Sequence, residues 1–301
     1  MAETLSRLNA LNDLVFLKIM GEKGDEQQLI SFLNAVLNRT GNGSISEVEI
    51  IENKELPPDI LNGKLSKLDI RAKLKDDTRV NIEVQLKNQY NMRERSLFYW
   101  AKEYGKGISP GQDYRELPAV IVINILDFNY IKLDDFHTSF HLYEDTHKDY
   151  RLTGVLEIHY IEMVKFRKVN KKDMNNPLQR WLVYFDKHSG IEQVQEVLIM
   201  DTAIQAAQAK MEMIQRDPAL LHAYEMFELS LYDHEMSLRG ALEEGMRKGM
   251  QEGKLEGKQE GMREGKQEGM REVAKALKAS GDAFEKIAGI TGLSLDEIAH
   301  L

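Results

Sequence analysis

The 301-residue sequence predicts an α/β domain, with a central mixed sheet flanked by helices, followed by an α-helical C-terminal extension. Three observations lead to this prediction. Apolar residues recur at helical spacing in three segments of the chain. Between these segments lie short runs in which apolar and polar residues alternate, as they do in strands with one buried face. One further run, residues 119–126, is almost wholly apolar and fits a strand buried on both faces.

The elements follow one another in a mixed order along the chain. The expected helical segments are residues 11–38, which Gly21 and Gly24 divide into two helices, residues 90–107, and residues from about Pro177 to Leu238. The expected strands are residues 47–52, 67–74, 78–86, 119–126, 136–143 and 155–163. Because the polar pair Asp76-Asp77 separates the second and third of these runs, they are expected to form a hairpin. Residues 1–240 would then form one domain.

Three oxygen-bearing side chains lie on the polar faces of the predicted hairpin: Asp69 on its first strand, and Glu83 and Gln85 on its second. If the two runs pair, two carboxylates and an amide oxygen converge on one side of the sheet. Oxygen ligands suit Mg²⁺, which binds one or two carboxylates and keeps several waters. The alternative is that these are ordinary acidic residues on the solvated face of an amphipathic hairpin.

The spacing of Asp69 and the Glu83-Val84-Gln85 triplet, across a turn, follows the PD-(D/E)XK nuclease pattern, with Leu68 in place of the proline and Gln85 in place of the usual lysine. Four other segments extend the likeness: residues 12–21, 29–37, 93–104 and 114–123. Together they resemble the Rpn family of recombination-promoting nucleases, also described as PD-(D/E)XK nuclease family transposases. The resemblance covers residues 1 to about 240.

This resemblance implies a restriction-endonuclease-like core and a metal-dependent DNA endonuclease, a hydrolase that acts on phosphodiester bonds with Mg²⁺ or Mn²⁺. It implies that Asp69 and Glu83 bind the metal ion and that Gln85 holds the third catalytic position, where glutamine is usual in this family. DNA would be the partner. Nothing in the sequence indicates the strand transfer that transposition requires.

The lysine of the wider pattern supplies a positive charge that Gln85 lacks, since an amide is neutral. A nearby cation would stabilise the charge that develops on the phosphate oxygens. The auxiliary candidates are Lys73 on the face of Asp69, Lys87 one pleat beyond Gln85, Arg93 and Arg95 at the start of the next helix, and Asp13 and Lys18 on the first helix. The sequence does not choose among the cations. Asp13 is equally well explained as a first-turn acid that complements the helix dipole.

Composition limits the remaining possibilities. The chain is 42% hydrophobic, enough for a sizeable core, and its lack of cysteine excludes disulfides and zinc–thiolate sites. The sequence contains no apolar run long enough to span a membrane and no signal peptide, so a cytoplasmic protein without a membrane partner is expected. The net charge of −9 disfavours nucleic-acid binding, but twelve basic and seven acidic residues between Lys64 and Arg115 give a local balance of +5.

The C-terminal extension begins with a repeat over residues 241–270, in which glycine recurs at every fourth position from Gly245 to Gly269. As a helix, the repeat would align its glycines in a drifting stripe that a partner helix could approach closely, which predicts a homo-oligomer. As a flexible linker, it would avoid the helix-propensity cost of each glycine, about 0.8–1 kcal/mol. Both readings remain open. The rival to the nuclease is therefore an inactive or weakly active nuclease-fold protein that self-associates through this segment.

Residues 271–301 regain apolar periodicity and predict a small helical tail of three short helices. Ser294 and Glu297 have the spacing of a capping box, which opens the last of them. The segment from Ile287 to Ser294 resembles the turn of a helix-turn-helix. Its acidic residues match or outnumber its basic ones, which argues against DNA reading by this tail.

Overall fold

The structure, a computed structural model, describes residues 7–52, 69–108 and 111–301. The start of the predicted hairpin, with Lys67 and Leu68, lies outside these residues, as does Lys64. The chain divides into two compact units between Leu231 and Tyr232.

Within the described residues, a six-stranded mixed sheet forms the centre of the first unit. Its strands are β1 (Val48–Glu52), β2 (Ile70–Leu74), β3 (Arg79–Gln85), β4 (Val120–Leu126), β5 (His137–Phe140) and β6 (Leu156–Glu162). Their order is β1-β2-β3-β4-β6-β5; β3, β4 and β6 run parallel to one another, and the outer pairings are antiparallel. The predicted α/β class, with a mixed sheet and flanking helices, is confirmed.

The helices of this unit are α1 (Asp13–Met20), α2 (Gln27–Val36), α3 (Met92–Gly105), α4 (Met163–Arg167), α5 (Pro177–Phe185), α6 (Ile191–Met200), α7 (Thr202–Arg216) and the first part of α8 (Pro218–Ala279). Two 3₁₀ turns cover Gly41–Gly43 and Tyr114–Glu116. α4 was not expected from the sequence. It follows β6 directly, without a Gly or Pro to mark the change of element.

The two faces of the sheet carry separate apolar clusters. The larger buries α1, α2 and α5 against one face, where Phe32 meets Trp181 and Phe185 edge to face at centroid distances of 6.1 and 5.5 Å. Such aromatic pairs contribute about 0.5–1.5 kcal/mol beyond their buried area. The smaller cluster packs α3, from Met92 to the stacked rings of Trp100 and Tyr104, against the other face. β4 is buried along its whole length because it lies between these two layers, as its apolar sequence predicts.

The hairpin of β2 and β3 turns at Asp76 and Asp77. Asp77 adopts a left-handed conformation with φ of 64°, and the Asp76 carboxylate accepts a hydrogen bond from the Thr78 amide at 3.1 Å. The amide of Leu74 donates to the Thr78 carbonyl at 2.8 Å and closes the turn. Asp and Asn tolerate this conformation better than most residues, so the polar pair seen in the sequence fits the turn. The turn fixes the register in which Ile70 pairs with Ile82.

The second unit consists of the rest of α8 with α9 (Phe284–Thr291) and α10 (Leu295–Ala299). The glycine repeat is helical throughout, and a Cβ atom added at any glycine from Gly245 to Gly269 would meet no atom within 4 Å. The first short helix expected after residue 270 is instead the end of α8, because no breaker interrupts the helix before Gly281.

A small core closes the C-terminal tail. Ala274, Ile287 and Ile298 are buried together, one from each of its three helices. The Lys278 ammonium donates to the carbonyls of Ile298 and Ala299 at 2.9 and 2.8 Å, at the C-terminal end of α10. The capping box is present: the Ser294 hydroxyl accepts from the Glu297 amide, and the Glu297 carboxylate accepts from the Ser294 amide at 2.8 Å. With five residues that include Asp296 and Glu297, α10 offers little to a DNA groove.

Candidate metal centre

Asp69 and Glu83, here called the acid pair, come from the two strands of the hairpin. Glu83 lies near the carboxyl end of β3, and Asp69 immediately precedes β2. The observed register ends with Ile70 opposite Ile82, and one further antiparallel step would set Asp69 opposite Glu83. The pair therefore lies at the edge where the parallel strands end, the usual place for ligands in an open α/β sheet.

The acid pair belongs to the face of the sheet that α3 covers. Val80, Ile82 and Val84 enter the larger cluster on the opposite face, so Glu83, between them, points towards α3. Its parallel neighbour in β4 is Asn124, which has the same facing. Glu83 is fully buried, with 0% of its surface exposed. The reading of Glu83 as an acid on a solvated hairpin face is therefore wrong, because α3 excludes solvent from it.

A polar network fills the space beneath α3 beside Glu83. The amide of Asn124 donates to the His159 carbonyl at 3.0 Å, and its oxygen accepts from the Ser96 hydroxyl at 3.1 Å. The Tyr160 hydroxyl in turn donates to Ser96 at 3.1 Å. This network joins β4, β6 and α3, and it fixes the helix over the strand ends.

Arg95, in the first turns of α3, forms an ion pair with Glu83. Apart from this contact, neither carboxylate oxygen of Glu83 has a hydrogen-bond partner in the part of the chain that the structure describes. Buried carboxylates ordinarily accept several hydrogen bonds, because an unsatisfied buried charge is costly. The Glu83 carboxylate thus has coordination positions that the described residues do not fill.

Asp13 at the N-terminus of α1 is electrostatically coupled to the acid pair. Burial, and next the charge of Asp69, raise the pKa of Asp13 to about 7. The preceding residue, Asn12, caps α1 by accepting a hydrogen bond from the Leu14 amide at 3.1 Å. The plain reading of Asp13 as a dipole-complementing acid accounts for its place in the first turn. It does not account for its burial beside a second carboxylate.

Gln85 ends β3 on the same face as Glu83 and is partly exposed. The Gln85 side-chain amide donates to the backbone carbonyl of Val84 at 3.0 Å. The backbone carbonyl of Gln85 accepts from the backbone amide of Asp127 at the same distance. The side-chain oxygen is therefore not committed to a described donor and remains chemically suited to a water or a metal ion.

The other candidates lie at different distances from the acid pair. Lys73 is at the turn end of β2, four residues or about 13 Å from Asp69, where it pairs with Asp77 at 2.6 Å. The hydrogen bond to Asp77 raises the pKa of Lys73. Arg93 and Lys87 are exposed. Lys18 is five residues after Asp13 on α1, about 140° further round the helix.

Two residues of this face were not singled out from the sequence. Asn81 is buried on β3 two residues before Glu83, and neither polar atom of its side chain has a hydrogen-bond partner among the described residues. Asn124 is the buried neighbour of Glu83. The parity of Asn81 with Glu83 was a usable signal. Asn124 gave none, because a lone polar residue in an apolar run does not reveal which strand lies beside it.

Many of the basic residues around the hairpin have acidic partners. The largest group surrounds the buried Glu103 of α3, which has Arg71, Arg79 and Lys106 within 3.5–3.8 Å. Lys75 pairs with Glu47 at 3.1 Å and Arg115 with Asp113 at 2.5 Å. Many of these basic residues are therefore engaged in ion pairs, and those around Glu103 join α3 to the strands, while the local balance of +5 is unchanged.

The donor set fits a divalent ion only in part. No group of three or more His, Cys, Asp or Glu side chains in the described ranges is arranged to hold a metal ion. Mg²⁺, however, needs only one or two protein carboxylates and completes its shell with water and substrate oxygens. Asp69 and the Glu83 carboxylate, once released from Arg95, could supply those carboxylates, and Gln85 could add a neutral oxygen.

The sheet order, the flanking helices and the acids at the strand ends are consistent with a PD-(D/E)XK nuclease-like α/β fold. The chain belongs to the family described as PD-(D/E)XK nuclease family transposase, whose sequence profile matches residues 10–241. This membership supports a nuclease- or transposase-like function with DNA as the substrate class, and PD-(D/E)XK nucleases typically use divalent metal ions. Neither the curated proteins nor the solved structures contain a match to the chain. None of the helices formed by the described residues is long and apolar enough to cross a membrane.

Proposed function

We propose that this protein is a Mg²⁺- or Mn²⁺-dependent DNA endonuclease of the recombination-promoting type. The observation that carries the proposal is the carboxylate of Glu83, which is fully buried, has Arg95 as its described partner, and falls opposite Asp69 when the hairpin register is continued by one residue. Burying this carboxylate is costly even with Arg95 beside it, which favours a functional role for the acid over a purely structural one.

In this proposal Asp69 and Glu83 bind the metal ion, and Gln85 orients the attacking water or completes the metal's oxygen shell. A bound Mg²⁺ would polarise the scissile phosphate and lower the pKa of a bound water. Hydrolysis joins the water oxygen to phosphorus, breaks one phosphorus–oxygen ester bond, and transfers a proton to the departing oxygen. α3 and its polar network exclude bulk solvent from Glu83, which strengthens its interaction with a cation.

The test is nicking of supercoiled plasmid DNA in Mg²⁺ and in Mn²⁺. Asp69→Asn and Glu83→Gln keep the shape of each side chain and remove its charge, so each variant should abolish nicking and weaken the metal-induced rise in melting temperature. The matched controls are Asp134→Asn and Glu192→Gln, which remove exposed acids. Parent-like nicking by both site variants would show that the acid pair is not the catalytic site.

A second function is favoured by the exposed repeat of α8. A Cβ atom added at any of its glycines would find no other atom within 4 Å. Large apolar side chains are also exposed along this part of the helix: Leu242, Met246, Met250, Leu255 and Met262. Both features fit a helix that packs against a second copy of this chain. In this alternative the protein is a self-associating module with weak or no nuclease activity, and the parent protein would fail the nicking assay while still forming oligomers.

Helix geometry limits how such a partner can pack. Four residues turn an α-helix by 400°, so each successive glycine lies about 40° further round the axis. A straight partner helix can therefore follow only about three consecutive glycines before the stripe turns away from it. Self-association through the repeat should accordingly depend on a short group of glycines.

A further inference from the structure

We propose that Arg95 supplies the positive charge that lysine provides in the wider PD-(D/E)XK pattern and that Gln85 lacks. In this proposal Arg95 holds the Glu83 carboxylate until a metal ion takes it, and the guanidinium then faces the scissile phosphate. The inference rests on the proposed function of the acid pair, and it assigns a positioning and charge-stabilising role to one residue.

The position of Arg95 follows from the helix that carries it. α3 packs through Met92, Trp100 and Tyr104 on the face of the sheet that contains Glu83. Arg95 lies one turn after Met92, on the side that reaches the end of β3, and its guanidinium contacts Glu83 directly. The Lys of the wider pattern would stand at residue 85, two residues beyond Glu83 on the same strand. The charge is thus brought to the same strand end from the covering helix.

Arg95 is held in place but retains unused donors. Its side chain is 12% exposed, its guanidinium lies 5.7 Å from the centre of the Tyr99 ring, and its Nη1 reaches the Gln89 side-chain oxygen at 3.5 Å. Its buried Nη2 group makes the contact with Glu83, and its buried Nε group has no hydrogen-bond partner among the described residues. Arginine is always charged and binds phosphate oxygens through paired N–H groups, so Nε, together with Nη2 once Glu83 is released, would suit a DNA backbone phosphate.

The ion pair with Glu83 also makes Arg95 a competitor of the metal ion. A divalent cation bound to Glu83 takes up the negative charge that now neutralises Arg95, and the two cations repel each other at short range. With a metal ion on Glu83, the Arg95 guanidinium would be free for a new anionic partner at the place where the substrate phosphate would lie. Removal of Arg95 should have two opposite effects: tighter metal binding and slower cleavage.

The remaining cations of the region are less suited to this role. Lys73 is paired with Asp77 at the turn end of β2. Arg93 is exposed, and its described contact is made by its backbone amide, which donates to the Tyr130 hydroxyl at 2.7 Å. Lys87 lies beyond the end of β3 and is exposed, so it serves as the matched comparison for Arg95 in the experiment.

The experiment compares Arg95→Gln, Arg95→Lys, Lys87→Met and the double variant Gln85→Lys/Arg95→Gln in the full chain. Two quantities are measured for each: the melting temperature as a function of Mg²⁺ or Ca²⁺ concentration, and the single-turnover nicking rate at saturating Mg²⁺. Arg95→Gln is expected to nick about 10²-fold more slowly, the usual effect of removing one charge-stabilising group. Its half-saturating metal concentration is expected to fall. The double variant, which moves the charge to residue 85, should recover much of the rate.

Several outcomes would overturn the inference. If Arg95→Gln nicks DNA at the parent rate, or nicks slowly and binds metal more weakly, Arg95 is only a structural partner of Glu83. A large loss in Lys87→Met with little change in the Arg95 variants would assign the charge to Lys87. If Arg95→Gln does not fold, Arg95→Lys decides, because it keeps the charge but loses the paired donors. It should nick more slowly than the parent without losing activity, and a folded but inactive Arg95→Lys contradicts the inference.

Failure of the proposed function gives a different pattern. A parent protein that binds metal but does not nick DNA contradicts the nuclease proposal, whereas the competition between Arg95 and the metal ion is still read from the melting curves. Tighter metal binding by Arg95→Gln would then support the ion-pair role, and unchanged or weaker binding would exclude it.

Discussion

The side-chain amide of Asn12 donates a hydrogen bond to the Glu228 carboxylate at a distance of 2.6 Å, joining the start of α1 to the first part of α8. The same side chain caps α1 through the Leu14 amide. Because Asp13 is the next residue, this contact helps to hold the carboxyl whose pKa is raised by burial and next by the charge of Asp69. A residue more than two hundred positions away thus sets the geometry beside the acid pair.

The first prediction concerns this contact. Asn12→Ala removes both a helix cap, worth about 1 kcal/mol, and a hydrogen bond to a charged group, worth about 1.5–3 kcal/mol. The free energy of unfolding should therefore fall by about 2–4 kcal/mol, measured by urea denaturation. Asn129→Ala is the control, because Asn129 is exposed. A loss no larger than that of the control would show that the cap and the Glu228 contact do not stabilise the fold.

The second prediction concerns Gln85. Gln85→Lys restores the charge of the wider superfamily at the strand end, so nicking should be retained or increased if Gln85 faces the metal ion. Gln195→Lys adds the same charge at an exposed distant site and controls for general attraction to DNA. Loss of nicking with intact folding and metal affinity would instead show that the glutamine amide has a specific role.

The third prediction concerns pH and the histidine pair of the β5–β6 edge. His137 and His159 lie 2.9 Å apart through Nε2 and Nδ1, and His159 also contacts Glu157 at 2.8 Å. Burial, and next the charge of His159, lower the pKa of His137 from 6.5 to about 4. The unfolded chain therefore binds this proton more readily than the folded protein. Stability should be full above pH 6.5 and should fall as the pH drops from 6.5 towards 4.

His137→Gln removes this titration. Between pH 7.5 and 5.5 the parent should lose about 1 kcal/mol more stability than the variant, and at still lower pH the difference should approach about 3 kcal/mol. Urea denaturation at several pH values measures it, with His222→Gln as the exposed control. Parallel stability curves for the parent and His137→Gln would contradict the lowered pKa.

The fourth prediction concerns self-association through α8. A chain that ends at Leu238 should have a lower mass in solution than the full chain, measured by light scattering, while nicking per site is retained. Replacing Gly253, Gly257 and Gly261 by alanine should raise helicity and weaken association, because the added methyl groups would keep a partner helix away. Replacing Gln251, Gln259 and Gln267 by alanine raises helix propensity elsewhere and should leave the mass unchanged.

Equal masses for the full and shortened chains would contradict self-association through the repeat. An unchanged mass after the glycine substitutions, together with a lower mass for the shortened chain, would assign association to other residues of the C-terminal segment.

Local patterns predicted much of the fold. Alternation placed β2 and β3, the Asp76-Asp77 pair placed their turn, and the apolar run placed β4 between two layers. These features depend on residues close together in the sequence, and the period of two is directly visible. The repeat of α8 was ambiguous because its Glu, Lys, Arg, Gln and Met favour a helix while its glycines oppose one. The structure makes it a helix.

The candidate site was less accessible from the sequence. Its residue types could be proposed, but the environment of Glu83 depends on α3 packing over the face that looked solvated. The choice of Arg95 among the cations likewise depends on how α3 docks against β3, which is a long-range contact. Asn124 lies beside Glu83 because β3 pairs with β4 in parallel. The sequence of a single strand does not indicate which strand will pair with it.

The left-handed turn at Asp77 limits which insertions between β2 and β3 the proposed acid pair can tolerate. The turn helps to hold the two strands in the frame that would set Asp69 opposite Glu83, and a strand's side chains point to opposite faces in alternation. A single residue inserted after Asp77 would move Asp69 from opposite Glu83 to a neighbouring position, or send it to the apolar side, without altering either acid. Two inserted residues would restore the parity but not the partner. Length at this distant loop should therefore be under stronger constraint than residue identity.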